Sequence, residues 1–495
     1  DPAATDALAH ALAPVTASPG ALSARALADL LARHQARRPA LAALWDYYRN
    51  PLTPKAPSRS GRPYALAQQR GLPLRLSNPA AVGCNVDDRA GPREVVIEND
   101  IAWRIGAMID FLVGKPIRIV SAAADPRLAR TIERVLESVI EGSGGLAMLQ
   151  EAALLGHVYG SVDLLVHTTG DEEDAGALAA FTDPLEAAEA VRVTPVDPGR
   201  AAPLVSAADW RRLDAFCIVA DRSAADDGSP GQTLVEVYTP ALRQVLLITR
   251  DGAGGAFTAR TVSQSPNRVS PGAVPVAHIQ NVAQPFVYAG LGEVEPLIPL
   301  QDELNTRLSD RANRVTMQSF KMYLAKGVDG FERTPVGPGV LLSTDNPDAS
   351  ITSFGGDAAS PSEDRHIDEV REALDKISGV PPLATGVVRA RVGNLSSENA
   401  LRLTLQGLIA RTARKRITYG RGITHACSLI LSALHHAGLL RTTRRDRQVR
   451  IEWPDPVTAD QAELLRTAEA KRELGVTPSR LLNELGYATQ DAGVE

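Results

Sequence analysis

Lysine is nearly missing from this sequence: seven of its 53 basic residues are lysine and the rest are arginine. That bias is read as a habit of the coding genome and carries no functional weight. Cysteine is scarcer still, with Cys84, Cys217 and Cys427 far apart and odd in number. Such spacing gives neither a disulfide framework nor zinc-ligand pairs, and it fits synthesis in a reducing compartment. Aromatic residues make up 4% of the chain, and Trp45, Trp103, Trp210 and Trp453 sit in apolar patterns that read as core packing. No apolar run reaches the roughly 18–20 residues that span a bilayer. The opening DPAATDALAHALAPV lacks the basic start and apolar core of a signal peptide. Synthesis in a cytoplasm and a soluble product are expected. Because the first residue is Asp1, an earlier true start is expected as well.

Motifs of chemistry are also lacking. Gly114-Lys115 runs straight into Pro116, so there is no phosphate-cradling GxxxxGK[ST] loop. Gly290-Leu291-Gly292 is followed by Glu295 where the dinucleotide fingerprint needs glycine. Neither GxSxG, HExxH nor CxxC occurs. The adjacent His435 and His436 diverge by about 100° on a helix and cannot easily share a metal. The acidic run Asp171–Asp174 lacks the spaced ligands of a calcium loop and reads as a solvated face. No catalytic residue, metal or cofactor is expected. A net charge of −5 excludes a global attraction to nucleic acid or anionic membranes.

What is present is an α+β chain of two to four regions. Residues 1–20 are Ala/Pro/Thr-rich and expected to be poorly ordered. Ser23–Gln35 and Ala40–Tyr48 read as two amphipathic helices, and 50–95 as a long surface loop. Ile97–Leu112 is a helix, Lys115–Val120 a strand, and Pro126–Glu141 and Leu146–Leu155 further helices. Ser161–Thr168 is a strand, and six β signals follow between Val191 and Val282, each bounded by Gly, Pro, Asp or Ser.

The stretch from Glu295 to Asn394 organises the rest. Leu297, Leu300, Leu304, Leu308 and Val315 step at helical spacing. A second helix opens on Ser360-Pro361-Ser362-Glu363, a capping box with proline at the first helical position. It continues through Ile367, Val370, Leu374 and Ile377 to a stop at Gly379 and Pro381. A Gly/Pro-rich insert separates the helices, and the loop GVPPLATGVVRARVGN follows them. Residues 397–437 then form one long helix, with a bend plausible at Gly420 and Gly422. Gln448–Trp453 is a strand, and Thr458–Leu474 and Ser479–Glu484 are closing helices.

One charge feature stands out. Between Arg389 and Arg450 thirteen Lys/Arg face two acids, Glu398 and Asp446. A nucleic-acid contact is one reading. Salt bridges to acidic neighbours are the other, since Arg402, Arg411, Arg414, Lys415, Arg416 and Arg421 fall all around the helix.

Taken in order, several stretches resemble the portal proteins of tailed double-stranded-DNA bacteriophages, especially those of siphophages. They are LWDYYRNP, IENDIAWRIGAMIDFLVGKPIRI, EAALLGHVYGSVDLLVH, VEVYT, VPVAHIQNV…VEPLIPLQDELNTRLSD, KISGVPPLATG…GNLSSENALR and VRIEWPDPVTADQAELLRTAEAKRELGVTPSRLLNELGY. Each is weak alone; their shared order over about 40–487 carries the likeness. The long 50–95 loop and the short C-terminal region depart from the family pattern.

The resemblance implies a portal fold and a dodecameric ring of this chain at one capsid vertex of the virion, assembled in the host bacterial cytoplasm. Double-stranded DNA would pass through its tunnel without sequence specificity during packaging and ejection. Further implied partners are the terminase large subunit, a head-completion adaptor and the major capsid protein; no membrane is implied. It implies an α+β wing over 1–293, a first stem helix at 294–322 and a small α/β clip at 323–360. A second stem helix follows at 361–379 and a tunnel loop at 380–396. The wing's long helix and closing strand would take 397–455 and the crown 456–495. Val387, Val388, Arg389, Arg391 and Asn394 would face the tunnel, and Lys326, Asp329, Phe331, Glu332 and Arg333 would face terminase or adaptor. Alternatives are a nucleic-acid-binding or processing protein using 389–450, and another ring-forming virion component.

Overall fold

The computed structural model describes residues 2–54, 63–77, 94–169, 178, 180–222, 231–250, 256–319, 322–326, 347–354, 360–385, 398–457, 461–478 and 481. The chain divides into two compact units. One comprises Asp1–Leu44, Trp103–Glu295 and Gly379–Glu495; the other comprises Trp45–Ala102 and Pro296–Ser378.

The first unit is organised by a five-stranded antiparallel sheet. Its strands are β6 (Ala201–Val205), β7 (Leu213–Arg222), β8 (Gly231–Tyr238), β9 (Leu242–Arg250) and β10 (Phe257–Pro266), each paired with the next in sequence. Side chains alternate across a strand, so one sequence feeds two cores. Cys217, Val219, Val235, Val237 and Leu246 face Leu27, Leu30 and Leu31 of α2 (Ala24–Arg49) and Leu12 of α1 (Pro2–Leu12). Phe216 and Tyr238 face the other way, toward Leu165, Val196 and Val276. The sequence reading of 1–20 as poorly ordered therefore missed α1, whose Leu12 is fully buried. Ala-rich composition hid the one apolar face that the sheet completes.

Leu165, Val196 and Val276 belong to a three-stranded sheet of order β11 (Val276–Gln280), β4 (Ser161–Thr168), β5 (Val191–Val196). Helices α5 (Pro126–Gly142) and α6 (Gly145–Tyr159) pack beside it, with the short α7 (Pro184–Ala188) against α5. Asp125 caps α5 by accepting from the Arg127 N–H, with Pro126 at the first helical position. Gly160 ends α6 at φ +92, and a Cβ there would lie 2.4 Å from the Gly290 carbonyl oxygen, so only glycine fits.

Two boundaries differ from the sequence expectation. The two N-terminal helices are one, α2, running through Pro39 although proline forfeits a helical hydrogen bond. Buried side chains on both sides, from Leu27 to Leu41, hold it continuous. The long helix is broken at Leu405 into α10 (Glu398–Thr404) and α11 (Gln406–His436). It runs uninterrupted through Gly420 and Gly422. Gly422 serves close packing, because a Cβ there would lie 2.1 Å from Ile279 of β11. Finally, β14 (Val449–Glu452) pairs antiparallel with β3 (Arg118–Ser121), joining segments far apart in sequence. Helix α12 (Gln461–Glu473) follows it, and α4 (Asp100–Val113) carries the chain from the second unit into the first.

Candidate functional site

The second unit holds the helix–insert–helix stretch. Its helices are α8 (Ile298–Ser319) and α9 (Pro361–Ser378). Leu304 and Leu308 of α8 and Ile367, Val370 and Leu374 of α9 are buried, whereas Val315 and Ile377, expected on the same stripes, are exposed near the helix ends. Ionic contacts line the pair. Arg311 meets Asp364 at 3.2 Å, His366 meets Glu303 at 3.0 Å, and Arg314 meets Glu363. The Arg307 guanidinium, donating to Glu303 at 2.7 Å, holds that carboxyl below its usual range. Outward on α9 stand Asp368, Glu369 and Glu372, an exposed acidic face.

A second face of α8 is polar and buried, and the sequence reading did not use it. Gln301, Asn305, Ser309 and Asn313 recur every four residues, so they form one stripe. Against it lies the extended segment 94–99. The N–H groups of Asp100, Glu98, Val96 and Glu94 donate in turn to Gln301 Oε1, Asn305 Oδ1, Ser309 Oγ and Asn313 Oδ1, at 3.0, 2.9, 3.0 and 2.8 Å. In return Asn313 Nδ2 donates to the Glu94 carbonyl at 2.8 Å and Ser309 Oγ to that of Val96 at 3.2 Å. The periods match: four helical residues rise about 6 Å and two extended residues about 6.7 Å. Side chains of a helix thus replace the partner strand, and the segment's buried backbone groups are satisfied.

Further bonds fasten this strap. Gln68 is fully buried, donating to the Tyr47 carbonyl at 2.7 Å and accepting from Asn305 Nδ2 at 3.1 Å. Tyr47 donates to Asp302 at 2.9 Å, and burial lifts the Asp302 carboxyl above its usual range. Arg371 of α9 meets Glu98 at 2.6 Å. The remaining elements of this unit are the pair β1 (Leu52–Pro54) and β2 (Tyr64–Leu66), and the short helix α3 (Leu74–Ser77), whose Arg75 meets Asp310.

Beyond α8, β12 (Met322–Lys326) pairs antiparallel with β13 (Ser350–Phe354) from Met322↔Phe354 to Lys326↔Ser350. Of the residues expected to face terminase or adaptor, Lys326 stands exposed at the end of β12. Asp329, Phe331, Glu332 and Arg333 lie outside the described residues, as do Val387, Val388, Arg389, Arg391 and Asn394 of the expected tunnel loop.

Part of the basic segment is engaged in the fold. Arg402 meets Asp455 at 2.7 Å. Lys415 and Arg411 both grip Glu293, at 2.7 and 3.1 Å. Arg416 donates to the Phe111 and Pro454 carbonyls at 3.3 and 2.7 Å. Arg414, Arg421, Arg441, Arg444 and Arg445 are exposed. Among the described residues no group of His, Cys, Asp and Glu could hold a metal, and no helix is long and apolar enough to cross a membrane. Burial pushes the Cys217 and Cys427 thiols up to about 12, so neither supplies a nucleophilic thiolate at neutral pH.

An α+β body, a helix pair bearing a two-stranded tip, and a long helix returning to the sheets define a portal-type fold. The chain belongs to the phage portal protein family, SPP1 Gp6-like, whose family pattern matches residues 164–486, more than half of the sequence. Curated proteins gave no match. Among solved structures, the neck of an empty GTA particle computed with C6 symmetry is similar at 12% identity. It covers 78% of this chain and 90% of its own, with a TM-score of 0.44. The virion of a native gene transfer agent particle is similar at 15% identity, covering 78% and 89%, with a TM-score of 0.42.

Proposed function

We propose that this protein forms a closed ring, a dodecamer of identical chains, at one vertex of a phage-like capsid. The ring is the conduit through which double-stranded DNA is packaged and later ejected. In this reading α8 and α9 are the stem, the segment around β12 and β13 is the clip, and residues 380–396 are the tunnel loop. Residues 1–293 and 397–455 form the wing, and 456–495 the crown. The clip docks the terminase large subunit during packaging and a head-completion adaptor afterwards, while the major capsid protein surrounds the ring. The protein is structural; the motor's ATP chemistry belongs to its partner.

The observation that carries the reading is membership of the portal family over a span that includes the whole helix–insert–helix stretch. The charge pattern supports it. Many cationic contacts would bind phosphates tightly and stall sliding. Here α9 turns acids outward, and Arg402, Arg411 and Arg416 of the 389–450 segment are taken up by internal partners.

Native mass spectrometry or negative-stain microscopy of the purified full chain should show large closed rings with countable subunits. A strictly monomeric particle across salt and concentration would sink the proposal. Co-purification with terminase, lost when 323–360 is replaced, separates a portal from another ring-forming virion component.

A further inference from the structure

Strand pairing sets His278 of β11 directly opposite Asp163 of β4, so the two side chains rise from the same face of the sheet. The Asp163 side chain is 7% exposed, and its Oδ1 lies 2.7 Å from His278 Nδ1. The other ring nitrogen, Nε2, lies 2.7 Å from the Tyr288 carbonyl oxygen. The Tyr288 hydroxyl donates to the same Asp163 Oδ1, and its ring stacks on the imidazole with centroids 3.7 Å apart. Tyr288 thus closes on the pair with its carbonyl, its ring and its hydroxyl. Two residues before it, Phe286 adopts φ +64 and is 84% exposed. An aromatic residue in that left-handed region is strained, and such strain persists only where the surroundings over-determine it. On the near side of Phe286, Gln280 Oε1 accepts from the Gln284 N–H at 3.2 Å. On the far side, Gln280 Nε2 donates to the Val287 and Tyr288 carbonyls at 2.8 and 3.1 Å.

Counting donors decides what His278 must be. A carbonyl and an ionised carboxylate only accept, and a neutral imidazole has one N–H. Filling both bonds takes one proton more than a neutral histidine beside an aspartate ion carries, whichever of the two side chains holds it. We infer that Asp163, His278 and Tyr288 form a proton-held latch that fixes the 282–291 loop and keeps Phe286 in its strained, outward pose. Loss of the proton sets the Nε2 lone pair against the Tyr288 carbonyl, so that carbonyl withdraws and Phe286 relaxes. Among the described residues, the charged and titratable groups facing the latch are Asp163 from β4, Tyr288 from the loop and Arg37 of α2, whose charge acts on the Tyr288 hydroxyl. Burial first, then Asp163, pushes the pKa of that hydroxyl well above its ordinary value, so it stays a donor. Helix α11 meets the site with Gly422, where a Cβ would lie 3.3 Å from the His278 carbonyl oxygen. The latch is therefore complete at low pH and is lost as pH rises through the histidine range, from about 6.5 upward. It does not depend on the portal reading.

Hydrogen exchange of the full chain, corrected for the intrinsic pH dependence of amide exchange, compares a 283–291 peptide with a peptide from β4. In the parent, protection of 283–291 should fall about tenfold between about pH 5.5 and 8.5 while β4 keeps its own. Asp163→Asn gives the sharpest outcome. An amide nitrogen in place of Oδ1 has two hydrogens, one for a neutral Nδ1 and one for the Tyr288 hydroxyl, which leaves Nε2–H for the Tyr288 carbonyl. That variant should keep the loop protected at both pH values. His278→Gln retains an N–H for the Tyr288 carbonyl and has no titrating ring, so its protection should not change with pH. Protection independent of pH in the parent overturns the latch, and so does a parent-like fall in either variant. Should one variant fail to fold, the other decides.

Discussion

Burial separates the arginines and lysine of α11 into two kinds, and substitution should expose the difference. Arg414 and Arg421 are exposed, so R414E/R421E should change stability by no more than about 0.5 kcal/mol per site. Lys415 is buried on Glu293, and desolvation lowers its pKa against the pull of that carboxylate. Lys415→Met should cost about 3 kcal/mol in urea unfolding, the low end for breaking a buried pair, because Arg411 still faces the acid. Nearby His157 is fully buried, with Nδ1 donating to the Ala153 carbonyl at 2.6 Å. Burial first, then the Lys415 charge, holds its pKa well below the ordinary value. A depressed folded pKa means that the unfolded chain takes up the proton more readily. Stability from neutral His157 is thus complete above about pH 6.5 and is lost as pH falls below it. His157→Gln should flatten the decline of the urea midpoint between about pH 6.5 and 5.5 relative to the parent chain.

At the scale of elements, the strap on α8 is the feature with the clearest energetics. Asn305→Ala removes the acceptor of the Glu98 N–H and the donor to Gln68 together. Leaving buried groups unsatisfied costs about 1–3 kcal/mol each. Hydrogen exchange should show faster exchange at Glu98 and Val96 while α9 keeps its protection; uniform loss across the unit would argue that the ladder is not a local fastening. Gly422→Ala tests a different joint, the seat of α11 on β11. With Ile279 only 2.1 Å from the new Cβ, the helix must shift, and a loss of about 1–3 kcal/mol is expected. On α8 two spacings run side by side, the apolar one read from the sequence and the polar one that was passed over. The four-residue recurrence of Gln, Asn, Ser and Asn was visible in the sequence; its extended partner was not.

For the whole molecule the property to test is the proposed passage of DNA through an assembly. Replacing Arg389 and Arg391 by Glu should reduce DNA packaging sharply while leaving ring assembly unchanged in native mass spectrometry. Normal packaging in that variant removes these residues from the tunnel. The modest overall charge of −5 suits the proposed conduit, which would have to let a polyanion move rather than hold it.

Local pattern determined much of this protein. Alternating strands, the Asp125 and Ser360 helix starts, the two apolar stripes of α8 and α9, and each single motif of the portal family depend on neighbours within a few residues. What the sequence could not determine depends on contacts across hundreds of positions. Leu12 became core only because a sheet at 201–266 covers it, and α2 stayed whole through Pro39 because burial outweighs one lost bond. The basic segment allowed either a nucleic-acid surface or salt bridges to acidic neighbours, and Glu293, Asp455 and two carbonyls took up Arg402, Arg411, Lys415 and Arg416 on α10 and α11. Charge counts are additive along a chain, but pairing is a matter of three-dimensional proximity. Tertiary structure alone decided which arginines are free to meet a partner.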